Sequence, residues 1–420
     1  MIKLDFSDSR VSDKELKSKK NLQKLRGAHD NLHSLDRSTG TGWVELPVLT
    51  SDADLEQIEM LASEVKQKCK VMVVIGIGGS YAGVKAGIEM VGSKSGVEIV
   101  FMGTTFSARE ITLVMDKIKD KEACVCVISK SGGTSETLVA FSFIENHFKK
   151  KYKAGGEYKN RVFIITDYEK GHLRELANQE GYRAMIIPRT VGGRYSVLTP
   201  VGLFPFAVAG FDIKSVMQGA KSAHNNYFVL SLEENDAYHY ALTRHILNQK
   251  GKQIEVLASF DDRLSAFYEW YKQLFAESEG KDQKGMMVAS LTYSTDLHSF
   301  GQFLQEGTPI ILETMLSITK PALDITIEKL RDSSPIKVMD GKKLSEVVSA
   351  TQKGVLEAHK KAKLPIIKIE VDELNEFTLG ELFYFFEISC ATACYLTGVN
   401  PFNQPGVESY KAETRVALNS

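Results

Sequence analysis

Short, almost wholly apolar runs recur along the chain, each closed by a polar or glycine-containing turn and followed by a stretch with helical character. In the first half these runs are Val71 to Ile77, Val97 to Met102, Ala123 to Ile128, Val162 to Thr166 and Ala184 to Ile187. The second half repeats the style with Ile254 to Ser259, Met286 to Leu291, Pro309 to Leu312 and Pro365 to Val371, with helical candidates at Arg263 to Ala276, Leu297 to Gln305 and Leu344 to Lys361 between them. A strand that is apolar throughout is buried on both faces, and its alternation with helices is the mark of a parallel sheet covered on both sides. The pattern predicts an α/β fold: two doubly wound α/β/α sandwich domains with parallel sheets, plus flanking helices.

The remaining segments set the expected boundaries. Residues 1–60 are polar with scattered apolar positions and read as an N-terminal helical extension packed outside the first sheet. The first α/β domain is placed at 61–210, the second at 211–380, and a closing helix and tail at 381–420. The charged, glycine-containing stretch Lys150 to Asn160 reads as a surface loop, and Thr199 to Asn225 as a helical link between the sheets. Leu379 to Leu396 is apolar all round, which predicts a buried helix. The turn-rich segment that follows, 400–406, carries polar residues able to reach back over a site.

Composition narrows the partners. A chain of 420 residues exceeds one ordinary core. Its formal net charge of −1 leaves no broad basic field for a nucleic-acid backbone. No stretch approaches the roughly 18 apolar residues of a membrane helix, and the N-terminus lacks an apolar signal core, so a cytoplasmic location is expected. The five cysteines fit a reduced compartment. Cys124 and Cys126 on a strand, and Cys390 and Cys394 on a helix, read as core residues because no further ligand accompanies either pair; no metal site is expected.

Candidate chemistry lies in two turns. Residues 129–137 read Ser-Lys-Ser-Gly-Gly-Thr-Ser-Glu-Thr, between the apolar run Ala123 to Ile128 and the helical run Leu138 to Lys149. Free N–H groups and the positive end of a helix dipole meet there, an arrangement suited to a phosphate monoester. Val71 to Ile77 runs into a second such turn, Gly78-Gly79-Ser80, which by itself is equally readable as a tight βα turn without a ligand. That turn is no dinucleotide fingerprint, since Tyr81 stands at the third glycine position. It is no Walker A loop either, since Val84 interrupts before Lys85 and no Ser or Thr follows the lysine. Together the two turns point to a phosphorylated small molecule.

Four further stretches carry a resemblance: Gly192-Gly193-Arg194-Tyr195-Ser196-Val197-Leu198 followed by Val201-Gly202-Leu203; Glu277-Ser278-Glu279-Gly280-Lys281; His298-Ser299-Phe300-Gly301-Gln302; and Gln404-Pro405-Gly406-Val407-Glu408 ending at Lys411. From about Gly76 to Lys411, in order, they resemble the signature stretches of the glucose-6-phosphate isomerase family in its shorter bacterial form. The resemblance implies two sugar-isomerase-type domains, a homodimer, and cofactor-free interconversion of glucose 6-phosphate and fructose 6-phosphate in glycolysis and gluconeogenesis. Many family members carry Asn where this chain has Glu279, and a second carboxylate turned toward Glu277 would raise the pKa of that group.

The resemblance also assigns roles. Glu277 is the base that carries a proton between C2 and C1, although composition alone reads it as a solvated carboxylate. Arg194 stabilises the enediolate, keeping its proton at any working pH; its alternative is a structural arginine at a Gly-Gly turn. His298, helped by Lys411, opens the sugar ring and reaches the partner subunit's pocket, whereas a lone histidine would read as a surface or core residue. Gly79, Ser80, Ser129, Ser131 and Thr134 are expected at the phosphate, with Lys130 contributing through its backbone. Gln273 lies one helical turn before Glu277 and shares its face, so it and Gln404 are expected to position the sugar. Other readings are an isomerase of an amino-sugar or mannose phosphate, and a sugar-phosphate sensor without turnover. The first is weakened by the lack of an N-terminal glutamine-hydrolysing Cys, the second by an intact Glu277, Arg194, His298 and Lys411 set.

Overall fold

The computed structural model of the chain describes residues 2–34, 36 and 40–419. Its strands are β1 (Lys3–Asp5), β2 (Val71–Ile75), β3 (Glu98–Met102), β4 (Ala123–Ile128), β5 (Val162–Thr166), β6 (Arg183–Ile186), β7 (Ile254–Ser259), β8 (Met287–Thr292), β9 (Ile311–Ile318) and β10 (Ile366–Val371). They form two five-stranded sheets, ordered β3-β2-β4-β5-β6 and β1-β10-β9-β7-β8. Every pairing is parallel except that of β1 with β10.

The two sheets share one plan. Counted by order of appearance, the first runs 2-1-3-4-5 and the parallel part of the second 2-1-3-4. The fifth place in the second sheet is taken by β1, from the opposite end of the chain, running antiparallel. In such sheets the crevice for a ligand opens at the carboxyl ends of the strands, where the order reverses. In the first sheet that point lies between β2 and β4, the two strands that lead into the glycine- and hydroxyl-rich turns.

Side chains of β2 alternate between two cores. Val71, Val73 and Ile75 join an outer cluster with Val125, Val127 and Ile144. Met72 and Val74 join a central cluster that also holds Leu257, Leu316 and Ile369 of the second sheet. A third cluster, with Val256, Ala258 and Ile311, covers the far side of the second sheet. The central layer is therefore common to both sheets. At its heart is helix Glu376–Thr397, apolar all round as its sequence predicts, with Phe383, Phe385 and Phe386 fully buried. It crosses helix Ile213–Tyr227 so closely that a Cβ on Gly380 would lie 1.9 Å from the Val216 carbonyl oxygen. Only glycine fits there without moving a backbone.

Several expectations need correction. The N-terminal residues are not simply helices outside the first sheet: β1 completes the second sheet, and helix Lys19–Leu32 packs on helices Glu376–Thr397 and Asp236–Gln249. Helix Asp52–Lys68 does lie by the first sheet, against helix Pro200–Ala209 and β4. The boundaries expected at 60 and 380 fall inside helices Asp52–Lys68 and Glu376–Thr397. The stretch 150–160 is the end of helix Ser135–Lys151 and a 3₁₀ run over Ala154–Arg161. There the Tyr152 hydroxyl accepts from the Ala123 amide at 3.1 Å and its ring packs under the Arg161 guanidinium. The helical link is two helices, Pro200–Ala209 and Ile213–Tyr227, divided at the left-handed Gly210. All five cysteines are buried and free. Among the described residues no helix is long and apolar enough to cross a membrane.

Candidate active site

The first turn folds as a 3₁₀ turn over Gly78–Ser80 and packs against a second one, Gly193–Tyr195. A Cβ on Gly79 would lie 2.0 Å from the Gly193 carbonyl oxygen. The two backbones can meet only because Gly79 has no side chain, and this meeting sets Ser80 beside the loop that carries Arg194.

The second turn follows β4. Ser129 is buried, and its hydroxyl lies 2.9 Å from that of Thr134 and 3.5 Å from that of Ser131. The Ser131 hydroxyl accepts from the Gly133 amide at 3.3 Å. Thr134 occupies the N-cap of helix Ser135–Lys151, yet among the described residues no side-chain cap bond closes that terminus. The helix therefore presents uncapped first-turn amides next to three clustered hydroxyls, the donor arrangement an oxyanion needs. Lys130 faces elsewhere: its ammonium donates to the carbonyls of Arg189 and Val191 at 2.9 and 2.7 Å, and burial lowers its pKa. It ties the phosphate-type turn to the stretch of chain that leads into Arg194.

Arg194 is the hub. It is 4% exposed, and its Nη1 lies 3.2 Å from Oε1 of Glu277. Nε donates to the Ser278 hydroxyl at 2.7 Å, Nη1 to Gln404 Oε1 at 3.3 Å, and Nη2 to the carbonyls of Pro401 and, at 3.2 Å, Asn403. The tail 400–404 is thus folded back over the arginine, the placement its polar sequence suggests. Gln273 donates to Glu277 Oε2 at 3.0 Å, the i,i+4 contact expected from their spacing on helix Ser265–Glu279. Glu277 keeps about a fifth of its side chain open to solvent, 22%, so a small molecule can reach it.

Glu279 does not crowd this carboxylate. Successive helical residues are turned by about 100°, so a residue two places on points to the other side. Glu279 is 3% exposed and bound by Arg244, Nη1 to Oε1 at 2.5 Å and Nη2 to Oε2 at 3.3 Å. The second carboxylate is thus turned away from Glu277 and toward Arg244.

The other two residues singled out in the sequence lie on further elements. His298 is exposed at the end of a 3₁₀ turn after β8, and its ring makes no hydrogen bond or ion pair with any described residue. Within this chain it does not join the Arg194–Glu277 cluster. Lys411 is half-buried on helix Pro405–Asn419, which starts directly after Gln404. Conversely, Ser278 was not expected. It is fully buried, accepts from Arg194 and lies 3.2 Å from the Tyr195 hydroxyl. A serine between two glutamates carries no signal of its own. Among the described residues no group of three or more His, Cys, Asp or Glu is arranged to hold a metal.

A doubly wound α/β fold with hydroxyl and amide donors at the switch point, beside an arginine–glutamate pair, defines a class of proteins built to hold a phosphorylated small molecule against an acid–base group. A sequence model of the phosphoglucose isomerase family matches residues 60–418, and the chain belongs to that family. It is 45% identical over 381 residues to the glucose-6-phosphate isomerase of Caldanaerobacter subterraneus subsp. tengcongensis, covering 88% of this chain and 84% of that one. A hypothetical protein of Thermus thermophilus, whose crystal structure is known, superposes with a TM-score of 0.89 at 28% identity over the whole of both chains. The fold is also that of a glucose-6-phosphate isomerase from Chlamydia trachomatis, TM-score 0.81 at 19% identity, covering all of this chain and 88% of that one.

Proposed function

We propose that the chain interconverts glucose 6-phosphate and fructose 6-phosphate, and that Glu277 is the group that moves the proton. The observation that carries this reading is the pairing of Glu277 with Arg194 and Gln273 on the sheet's ligand-binding edge, next to turns suited to a phosphate monoester. The phosphate binds Ser80, Ser129, Ser131, Thr134 and the amides around Gly79 and of the uncapped helix. It fixes the sugar at its far end, so binding energy is spent on orientation at C1 and C2.

After the ring opens, Glu277 takes the proton from C2 of the aldose, the electron pair shifts to the C1 carbonyl oxygen, and a cis-enediolate forms. The Arg194 guanidinium offsets the enediolate's charge. The C2 hydroxyl proton passes to the oxygen on C1, Glu277 returns its own proton to C1, and the electron pair left on the C2 oxygen closes the carbonyl at C2. His298 and Lys411 serve ring opening, moving protons between the anomeric hydroxyl and the ring oxygen. Gln273 and Gln404 orient the sugar. The family resemblance implies that His298 acts in the pocket of a second copy, and its exposure in the single chain supports that reading; the working unit is then a homodimer. The reaction is reversible and serves glycolysis and gluconeogenesis in the cytoplasm.

The test is an NMR time course of purified protein with glucose 6-phosphate and no added metal or nucleotide. Signals of fructose 6-phosphate grow in; a spectrum that stays unchanged while the ligand binds would make the chain a sensor.

A further inference from the structure

Glu277 sits where a helix is weakest. It and Glu279 occupy the last turn of helix Ser265–Glu279, which has no basic residue in that turn and stops at Gly280. Carbonyls of a last turn lack intrahelical partners, the negative end of the dipole disfavours carboxylates, and terminal turns fray. In this chain each carboxylate is met by an arginine, one on either side: Arg194 holds Glu277 and Arg244 holds Glu279.

The Arg244 side is wholly buried. Arg244, Glu279 and Glu255 are 1%, 3% and 0% exposed. Arg244 forks Glu279 with two nitrogens and gives its third, Nε, to Glu255 Oε2 at 2.5 Å. The other oxygen of Glu255 accepts from the Tyr240 hydroxyl at 2.5 Å and the Thr314 hydroxyl at 2.6 Å. The network thus anchors the helix end to β7, β9 and helix Asp236–Gln249. The residues just beyond are fixed too, since Lys281 donates its amide to the Glu279 carbonyl at 2.8 Å and its ammonium to the Asn400 carbonyl.

Enclosing two carboxylates and one guanidinium is a poor route to stability, because apolar residues of the same volume do as well or better. What the network supplies is position. We propose that Arg244 and Glu279 are positioning residues for the isomerisation, their buried fork fixing the rotation of the helix's last turn so that the Glu277 carboxylate stands against the reacting carbons. This rests on the reading of Glu277 as the base. The phosphate turns belong to the other sheet and are not touched by the fork, so a loosened fork disturbs proton transfer and spares the grip on the anion.

The experiment compares full-length wild type, Glu279→Gln and Arg244→Lys with fructose 6-phosphate as substrate and a hexitol 6-phosphate, which has the anionic tail and no carbonyl, as a binding probe. In both variants kcat falls on the order of 10- to 100-fold, the loss expected of a reacting group displaced by about an ångström, while KM and the hexitol phosphate Kd stay within about threefold. Tyr240→Phe removes one donor and no charge, keeps the fold if the others do not, and shows the same split at smaller size. A kcat within about twofold of wild type in all three, or a fall in kcat matched by equal loss of hexitol phosphate binding, overturns the positioning role. Wild type that binds the probe without turning over either sugar phosphate overturns the reading of Glu277 as well, and so separates the two failures.

Discussion

An arginine with every nitrogen engaged is a fixed charge, and Arg194 meets that description: hydrogen bonds to Ser278, Gln404, Pro401 and Asn403 hold its guanidinium in one plane beside Glu277. A charge held in advance stabilises a developing oxyanion without reorganising. Arg194→Ala is expected to raise the barrier by about 3 kcal/mol, the loss typical for one oxyanion donor. Steady-state kinetics read this as a fall in kcat of two orders of magnitude or more with phosphate binding retained; a tenfold or smaller fall counts against an enediolate role. At this scale the sequence was legible where residue type and order form a motif, as at Arg194, Glu277 and Gln404. It was silent where a side chain or a carbonyl serves only through geometry, as with Ser278 and the carbonyls of Pro401 and Asn403. The direction of Glu279 follows from helical angle and its partner Arg244, which lies 35 residues away in the chain.

Among the elements, β1 and β9 show what an apolar pattern misses. The run expected at Pro309 to Leu312 belongs to a strand that continues to Ile318. Glu313 and Thr314 break the pattern, but both are buried and satisfied: Glu313 by Tyr293 and His359 at 2.7 Å each, Thr314 by Glu255. Strand β1 is three residues long with charged ends, too short to show alternation, and is held at the edge by Lys368. Burial pulls the Asp5 carboxyl upward, but hydrogen bonds from Lys368 and Ser7 outweigh it and hold its pKa down to about 2. Asp8, on the same lysine, is also lowered. A carboxylate with a depressed folded pKa contributes stability that is present above its unfolded pKa, about 4, and lost as pH falls through the folded one. Amide exchange of residues 3–5 should therefore be pH-insensitive, after correction for intrinsic rates, above about pH 4, and lose protection as pH drops toward 2. Lys368→Ala should remove that protection at neutral pH; unchanged exchange in the variant would show that the ion pairs do not hold the strand.

For the molecule as a whole, alternating strands and helices made two doubly wound sheets readable, because parallel strands buried on both faces leave near-continuous apolar runs. That the sheets share one central layer was not readable, since Leu257 and Met72 carry no mark of which neighbour they will meet. His298, exposed and bonded through its ring to no described residue of its own chain, gives the assembly a functional prediction. If His298 of the partner subunit completes each site, mixing inactive Glu277→Gln and His298→Ala proteins under conditions that exchange subunits restores activity. A heterodimer then contains one site with both groups intact. Mixtures that stay inactive after proven exchange would place both groups in one chain's site.

The most direct measurement follows the transferred proton. In deuterium oxide the wild-type protein should exchange the migrating hydrogen of fructose 6-phosphate with solvent while isomerising it. Glu277→Gln should bind the same sugar phosphate and show neither exchange nor isomerisation. Near-normal exchange by that variant would contradict the account, because some other group would then be moving the proton.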